Sequence, residues 1–87
     1  MTLHVFLFLV GFMKAFVEIK VSAGSLDLVL ETIRKAEGVR EAYPVTGHCD
    51  IIAVVEAADI KALGSMVTKC IHAVKGVEST ETLICVE

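Results

Sequence analysis

The residues best equipped for chemistry are gathered in one short turn, Thr46, Gly47, His48, Cys49 and Asp50, which runs directly into five apolar residues at 51–55. An imidazole beside a thiol suggests a nucleophile or a metal ligand, a carboxylate can accept a cation, and a glycine lets a backbone N–H come close to a bound molecule. Neighbours on an extended chain point to opposite sides, however, and no third ligand lies near His48 and Cys49 in the sequence. Both are therefore read as solvated turn residues. No catalytic residue, cofactor or metal site is assigned. Taken by itself the turn is a hairpin, with Gly47 chosen for positive φ and Asp50 for local backbone hydrogen bonds. Thr80 and Thr82 lie two apart on an expected strand and share a face, which permits a joint contact, although threonine is also an ordinary strand former.

The elements that must hold this turn belong to one domain, since 87 residues suffice for a modest core and at most one site. Apolar residues make up 55% of the chain and charged ones 22%, more apolar surface than so small a domain can bury alone. Another subunit is expected to cover part of it. The net charge is −3, and the eight Lys and Arg are scattered, which argues against direct nucleic-acid binding because phosphate contacts need clustered cations. Cys49, Cys70 and Cys85 are an odd, widely spaced set that fits reduced thiols in a cytoplasmic protein.

Residues 1–13 form an apolar extension. The run "LHVFLFLVGFM" stops at Lys14, short of the roughly 18 to 20 residues that cross a bilayer, so no membrane partner is expected. It lacks the charged start and small-residue cleavage site of a secretory signal. It reads as a strand-like addition, or as the product of a start codon upstream of Met13.

From Ala15 the chain reads as strand, helix, strand, and then the same again. "AFVEIKV" alternates apolar and polar, the mark of a strand. Helix one, with Ser25 as N-cap, places Leu26, Val29, Leu30 and Ile33 on one stripe and ends at Gly38. Strand two covers 39–46, and Pro44, which cannot donate to a ladder, assigns it to a sheet edge. Strand three, 51–56, has no polar face and should be central and covered on both sides. Helix two, capped by Asp59, carries Ile60, Leu63, Val67, Ile71 and Val74 on its stripe and stops at Gly76. Cys70 reads as a core position and His72 as a surface one. Strand four is 77–86. The helix exits "KAEGVREA" and "AVKGVEST" resemble each other, which makes the chain two weakly similar βαβ units.

Two interleaved right-handed units give an α+β, ferredoxin-like βαββαβ fold, with a four-stranded antiparallel sheet in spatial order 4-1-3-2 and both helices on one face. The opposite face, carrying Phe16 and half of 51–55, would be bare. A twin sheet is the simplest cover, a dimeric α+β barrel.

The runs "GVREAYPVTGHCDIIAVVEAADIKAL" and "IHAVKGVESTETLICV" resemble the effector domain of the Lrp/AsnC transcriptional regulators, the RAM domain, over residues 14–87. The recurring features are a "GV.EAY.VTG.YD" turn, an apolar third strand, and "GV..T.T.I" on the fourth. The helix-turn-helix segment of full regulators has no counterpart here, so the chain resembles a stand-alone RAM module. The resemblance implies a homo-oligomer, sheets paired into dimers and dimers assembled into rings, with an amino-acid effector between dimers. Ligand contacts carried over from the family fall on Thr46, Gly47, His48, Asp50, Thr80 and Thr82. Asp50 could take the ammonium of an amino acid, while the Gly47 N–H and the threonine hydroxyls serve its carboxylate. His48 and Cys49 stand where the family often has a polar and then an aromatic residue, which alters the size and charge of the turn.

Three functions compete. The first is amino-acid sensing and oligomerisation, acting on transcription and joining full-length Lrp/AsnC regulators. The second is a small dimeric barrel enzyme of monooxygenase or isomerase type, against which stands the lack of a nucleophile, base and orienting group. The third is a ligand-free assembly partner.

Overall fold

The computed structural model of the protein describes residues 13–86, and the apolar run before Met13 lies outside the described residues. Strand β1 (Met13–Val21) is followed by helix α1 (Leu26–Arg34), strands β2 (Val39–Pro44) and β3 (Ile51–Ala57), helix α2 (Ile60–Met66), which continues as a π-helical segment over Val67–His72, and strand β4 (Val77–Ile84). The sheet order is β2-β3-β1-β4, every neighbour antiparallel, which is the ferredoxin-like order expected.

Alternation along the strands divides the residues between two faces. Ala15, Val17 and Ile19 of β1 lie opposite Val55, Ala53 and Ile51 of β3, and all six are fully buried beneath the helices. Val29, Leu30 and Ile33 of α1 and Leu63, Val67 and Ile71 of the second helix complete the core. Burial of each Val, Leu or Ile contributes about 1.5–3 kcal/mol, and no polar side chain is buried among the described residues.

The two helix exits repeat in structure as they do in sequence. Gly38 and Gly76 have φ of +92° and +102°. The Gly38 carbonyl accepts from Glu56 N–H at 2.9 Å, and the Gly76 carbonyl from Ser22 N–H at 2.8 Å. Each half thus docks its helix exit onto a strand of the other half.

Several boundaries differ from expectation, each for a local reason. Strand β2 ends at Pro44, because the Val45 N–H turns to the Asp50 carbonyl at 2.9 Å and closes the hairpin. Strand β4 ends at Ile84, although the Cys85 N–H still reaches the Lys14 carbonyl at 2.9 Å. Ser25 sits at the N-cap without capping α1 through its side chain, since its hydroxyl pairs with that of Ser22 at 2.8 Å. Asp59 does cap α2, accepting from Ala62 N–H at 2.7 Å. Ile60, in the first turn, is 62% exposed and leaves the stripe, and Cys70 is half-buried rather than core. The second helix reaches its exit through the wider π-helical turn, with Val67 and Ile71 still facing the sheet. Strand β3 is central, yet only one side is covered: Ile52 and Val54 on the other are half-buried.

Candidate functional site

The hairpin loop at 45–50 is tied to the end of β1 by backbone. The Asp50 N–H donates to the Ile19 carbonyl at 2.9 Å, and Oδ2 of Asp50 accepts from the Val21 N–H at 2.9 Å. Val21 lies just past the irregularity in the β1–β4 ladder, so the carboxylate takes up an N–H at the end of the strand. One Asp50 oxygen is therefore engaged in holding the fold. Gly47, at φ +137°, lets the chain reverse at the tip, with open space where a Cβ would stand.

That reversal changes how His48 and Cys49 relate. They do not diverge as on an extended chain. Both converge on Glu18 of β1, with one ligand atom of each of the three residues within 4.8 Å of the others. Nε2 of His48 lies 3.0 Å from Oε2 of Glu18, an ion pair whenever the imidazole is protonated. His48 is solvated as expected, but Cys49 is buried, only 5% exposed, because the tip folds it against the sheet. Burial pushes the Cys49 thiol up from its ordinary value, and the negative charges of Glu18 and Asp50 push it further. The thiol is thereby held protonated.

A hollow of about 140 Å³ opens here, lined by Glu18, Lys20, His48, Cys49, Ser79, Thr80 and Glu81. Of the residues carried over from the family, His48 and Thr80 line it. Thr46, Gly47 and Asp50 belong to the adjoining loop outside that lining. Thr82 stands further along β4, opposite Val17, and Thr80 opposite Ile19, so both threonines project to the helix-covered side. The Thr80 hydroxyl is 3.1 Å from Nδ1 of His72 on the second helix. Sequence reasoning does not single out Glu18 or Glu81. The signal for Glu18 is its place in the alternation, on the same face as Phe16, but its pairing with a loop thirty residues away depends on register.

The face away from the helices carries Phe16, Ile52, Val54 and Leu83 as an apolar centre, with Phe16 opposite both Val54 and Leu83. Phe16 is 36% and Leu83 45% exposed. Charges frame this centre. Arg40 Nη1 pairs with Glu56 Oε1 at 2.7 Å, and the Lys14 ammonium stands 5.9 Å from the Phe16 ring centroid. The Tyr43 hydroxyl donates to Glu41 Oε1 at 2.7 Å, a bond that raises the phenol's pKa.

A larger hollow of about 550 Å³ lies at the opposite end of β3, between Glu37, Glu56 and the second helix at Met66 and Lys69. Its size does not make it the better site: it is open to solvent, and it shares no residue with the turn. No helix among the described residues is long and apolar enough to cross a membrane.

Comparison with known proteins matches this arrangement. The sequence profile of the Lrp/AsnC ligand binding domain matches residues 14–87. The chain is 35% identical over 72 residues to the HTH-type transcriptional regulator FL11 of Pyrococcus abyssi, covering 83% of this chain and 47% of that one. The chain thus spans about half the length of that regulator. Among solved structures, TTHA0845 from Thermus thermophilus superposes with a TM-score of 0.82 at 36% identity, over 86% of this chain and 94% of that one. Escherichia coli AsnC superposes at 0.81 and 32% identity, over 86% and 51% of the respective chains. The matched region is the ligand-binding domain of the Lrp/AsnC regulators. With the profile running from β1 through β4 and the sheet order shared, the chain belongs to the Lrp/AsnC ligand-binding domain family.

Proposed function

We propose that this protein is an amino-acid-sensing and oligomerisation module of the Lrp/AsnC type, working in the cytoplasm and modulating transcription through regulators of its own family. The observation that carries the reading is the half-covered apolar sheet face directly beside the 45–50 turn. A second copy packed there would remove Phe16, Val54 and Leu83 from water, and pairs of copies would bring their turns together at the seams. Rings of such pairs would hold the effector between them.

The contacts offered to an amino acid are the free oxygen of Asp50 for its ammonium, and the Gly47 N–H, Thr46 hydroxyl and His48 imidazole for its carboxylate. Thr80 and Thr82 belong to the proposal through the second-helix side of β4, where the seam would have to reach them. Support for the ligand class comes from the regulator NMB0573 of Neisseria meningitidis, solved as a complex with L-Met, whose fold superposes with a TM-score of 0.77 at 18% identity. The mechanism is linkage: the effector shifts an assembly equilibrium by its different affinity for the two forms.

Calorimetry of the assembled protein against the twenty amino acids tests this. Heat and saturation with one or a few of them, accompanied by a changed sedimentation coefficient, is the expected result. Silence with all twenty would overturn it. A second reading, a ligand-free assembly partner, draws support from the engagement of Asp50 Oδ2 by the Val21 N–H. Capture of a full-length family regulator in amino-acid-free buffer, with no calorimetric response, would favour that alternative.

A further inference from the structure

We infer that Glu18, His48 and Cys49 form a binding site for a borderline-soft divalent cation of the zinc type, one per chain. Such a site needs no bound amino acid. Its donor set is a carboxylate, an imidazole and a thiol whose ligand atoms all lie within 4.8 Å of one another. Tetrahedral zinc with bonds of 2.0–2.3 Å separates its ligand atoms by roughly 3.3–3.6 Å. The His48–Glu18 separation of 3.0 Å already lies near that value. The separations to the Cys49 sulfur, at most 4.8 Å, need to close by no more than about 1.5 Å, and His48, whose side chain is 77% exposed, can turn toward it without disturbing the core.

A second observation points the same way. Glu18 and Glu81 face each other directly across the β1–β4 ladder, and both line the hollow that His48 and Cys49 complete. Like charges directly opposite on a sheet repel, so the pair creates a local demand for positive charge. Lys20 lines the same hollow but takes part in neither of the two ion pairs of the described residues. A cation held by Glu18, His48 and Cys49 would meet that demand.

The donors also select the metal. Thiolate with imidazole suits zinc or cobalt(II) and disfavours magnesium or calcium, which take oxygen ligands. On binding, the Cys49 thiol gives its proton to solvent and the sulfur becomes a thiolate ligand. His48 binds through Nε2 with its ring proton on Nδ1. Three protein ligands leave the fourth position to water.

The test uses the full chain after chelator treatment and dialysis. Titration with cobalt(II) should produce thiolate-to-cobalt charge-transfer absorption that saturates at one ion per chain and is displaced by zinc. The band should persist in the Cys70→Ser/Cys85→Ser double variant and vanish in Cys49→Ser. His48→Ala, at a position 77% exposed, should keep the fold by circular dichroism and weaken zinc affinity by about tenfold or more, with Glu18→Gln behaving alike. Absence of the band in the wild-type chain overturns the assignment. So does a band that survives in folded Cys49→Ser, or a zinc affinity unchanged by His48→Ala. Should Cys49→Ser not fold, the His48→Ala titration decides the matter alone.

Discussion

The two faces of the sheet are built from alternate residues of the same strands, yet they follow different rules. Beneath the helices, Ala15, Val17, Ile19, Ile51, Ala53 and Val55 are purely apolar and fully buried. On the other side an apolar centre of Phe16, Ile52, Val54 and Leu83 is interleaved with Lys14, Glu18, Lys20, Glu56 and Glu81. The six covered positions need only volume and shape. The open face carries charges that can dictate which partner fits and in what register, since a misplaced carboxylate would meet like charge or bare hydrocarbon. On the function proposed above, the difference separates a surface made for stability from one made for specificity.

The most severe way to break the first face is Ile51→Ala, which removes a fully buried side chain from the central strand and should cost about 2–5 kcal/mol in chemical denaturation. Next is Phe16→Asp on the second face, which, with a second copy packed there as proposed, should weaken self-association by about 2 kcal/mol or more in sedimentation while leaving the circular dichroism of the chain intact. Equal loss of fold in both variants would erase the distinction between the faces.

The glycines sharpen it further. A Cβ at Gly76 would stand 2.9 Å from Val29 Cγ2 and 2.9 Å from Ser25 Cβ on the covered side, at φ +102°. Gly76→Ala should therefore cost about 2–3 kcal/mol in thermal or urea unfolding. At Gly47 the space is open and only the backbone conformation resists, so Gly47→Ala should cost about 1 kcal/mol.

Asp50→Ala leaves the Val21 N–H without its acceptor and should cost about 1–2 kcal/mol, whether or not any effector is present. Ligand-independent destabilisation is the outcome that assigns the carboxylate a structural part. Smallest of all is Arg40→Ala: the Arg40 side chain is 59% exposed, and its bond to Glu56 is worth less than about 1 kcal/mol.

Much of the fold is legible because its signals are local. Alternation in "AFVEIKV", the stripes of both helices, Pro44 at the edge and the paired glycine exits each speak within a few residues, and together they imply the sheet order. What escapes is set at a distance. Ser25 has the right type and place to cap its helix, but Ser22 competes for its hydroxyl. The shared face of Thr80 and Thr82 is readable from their spacing. Which side that face turns to depends on their register against Val17 and Ile19. The burial of Cys49 and its approach to Glu18 follow from the backbone reversal at Gly47 and from Asp50 anchoring the loop to β1.

The exchange of helix exits between the halves, Gly38 to Glu56 and Gly76 to Ser22, has a kinetic corollary. Neither half can finish its own layer, because β1 waits between β3 and β4, the latter more than fifty positions downstream. During synthesis β1 and the first helix therefore emerge before either of the strands that flank β1 in the sheet. Closure should come as one late, concerted event once β4 is free, rather than in two steps of equal size.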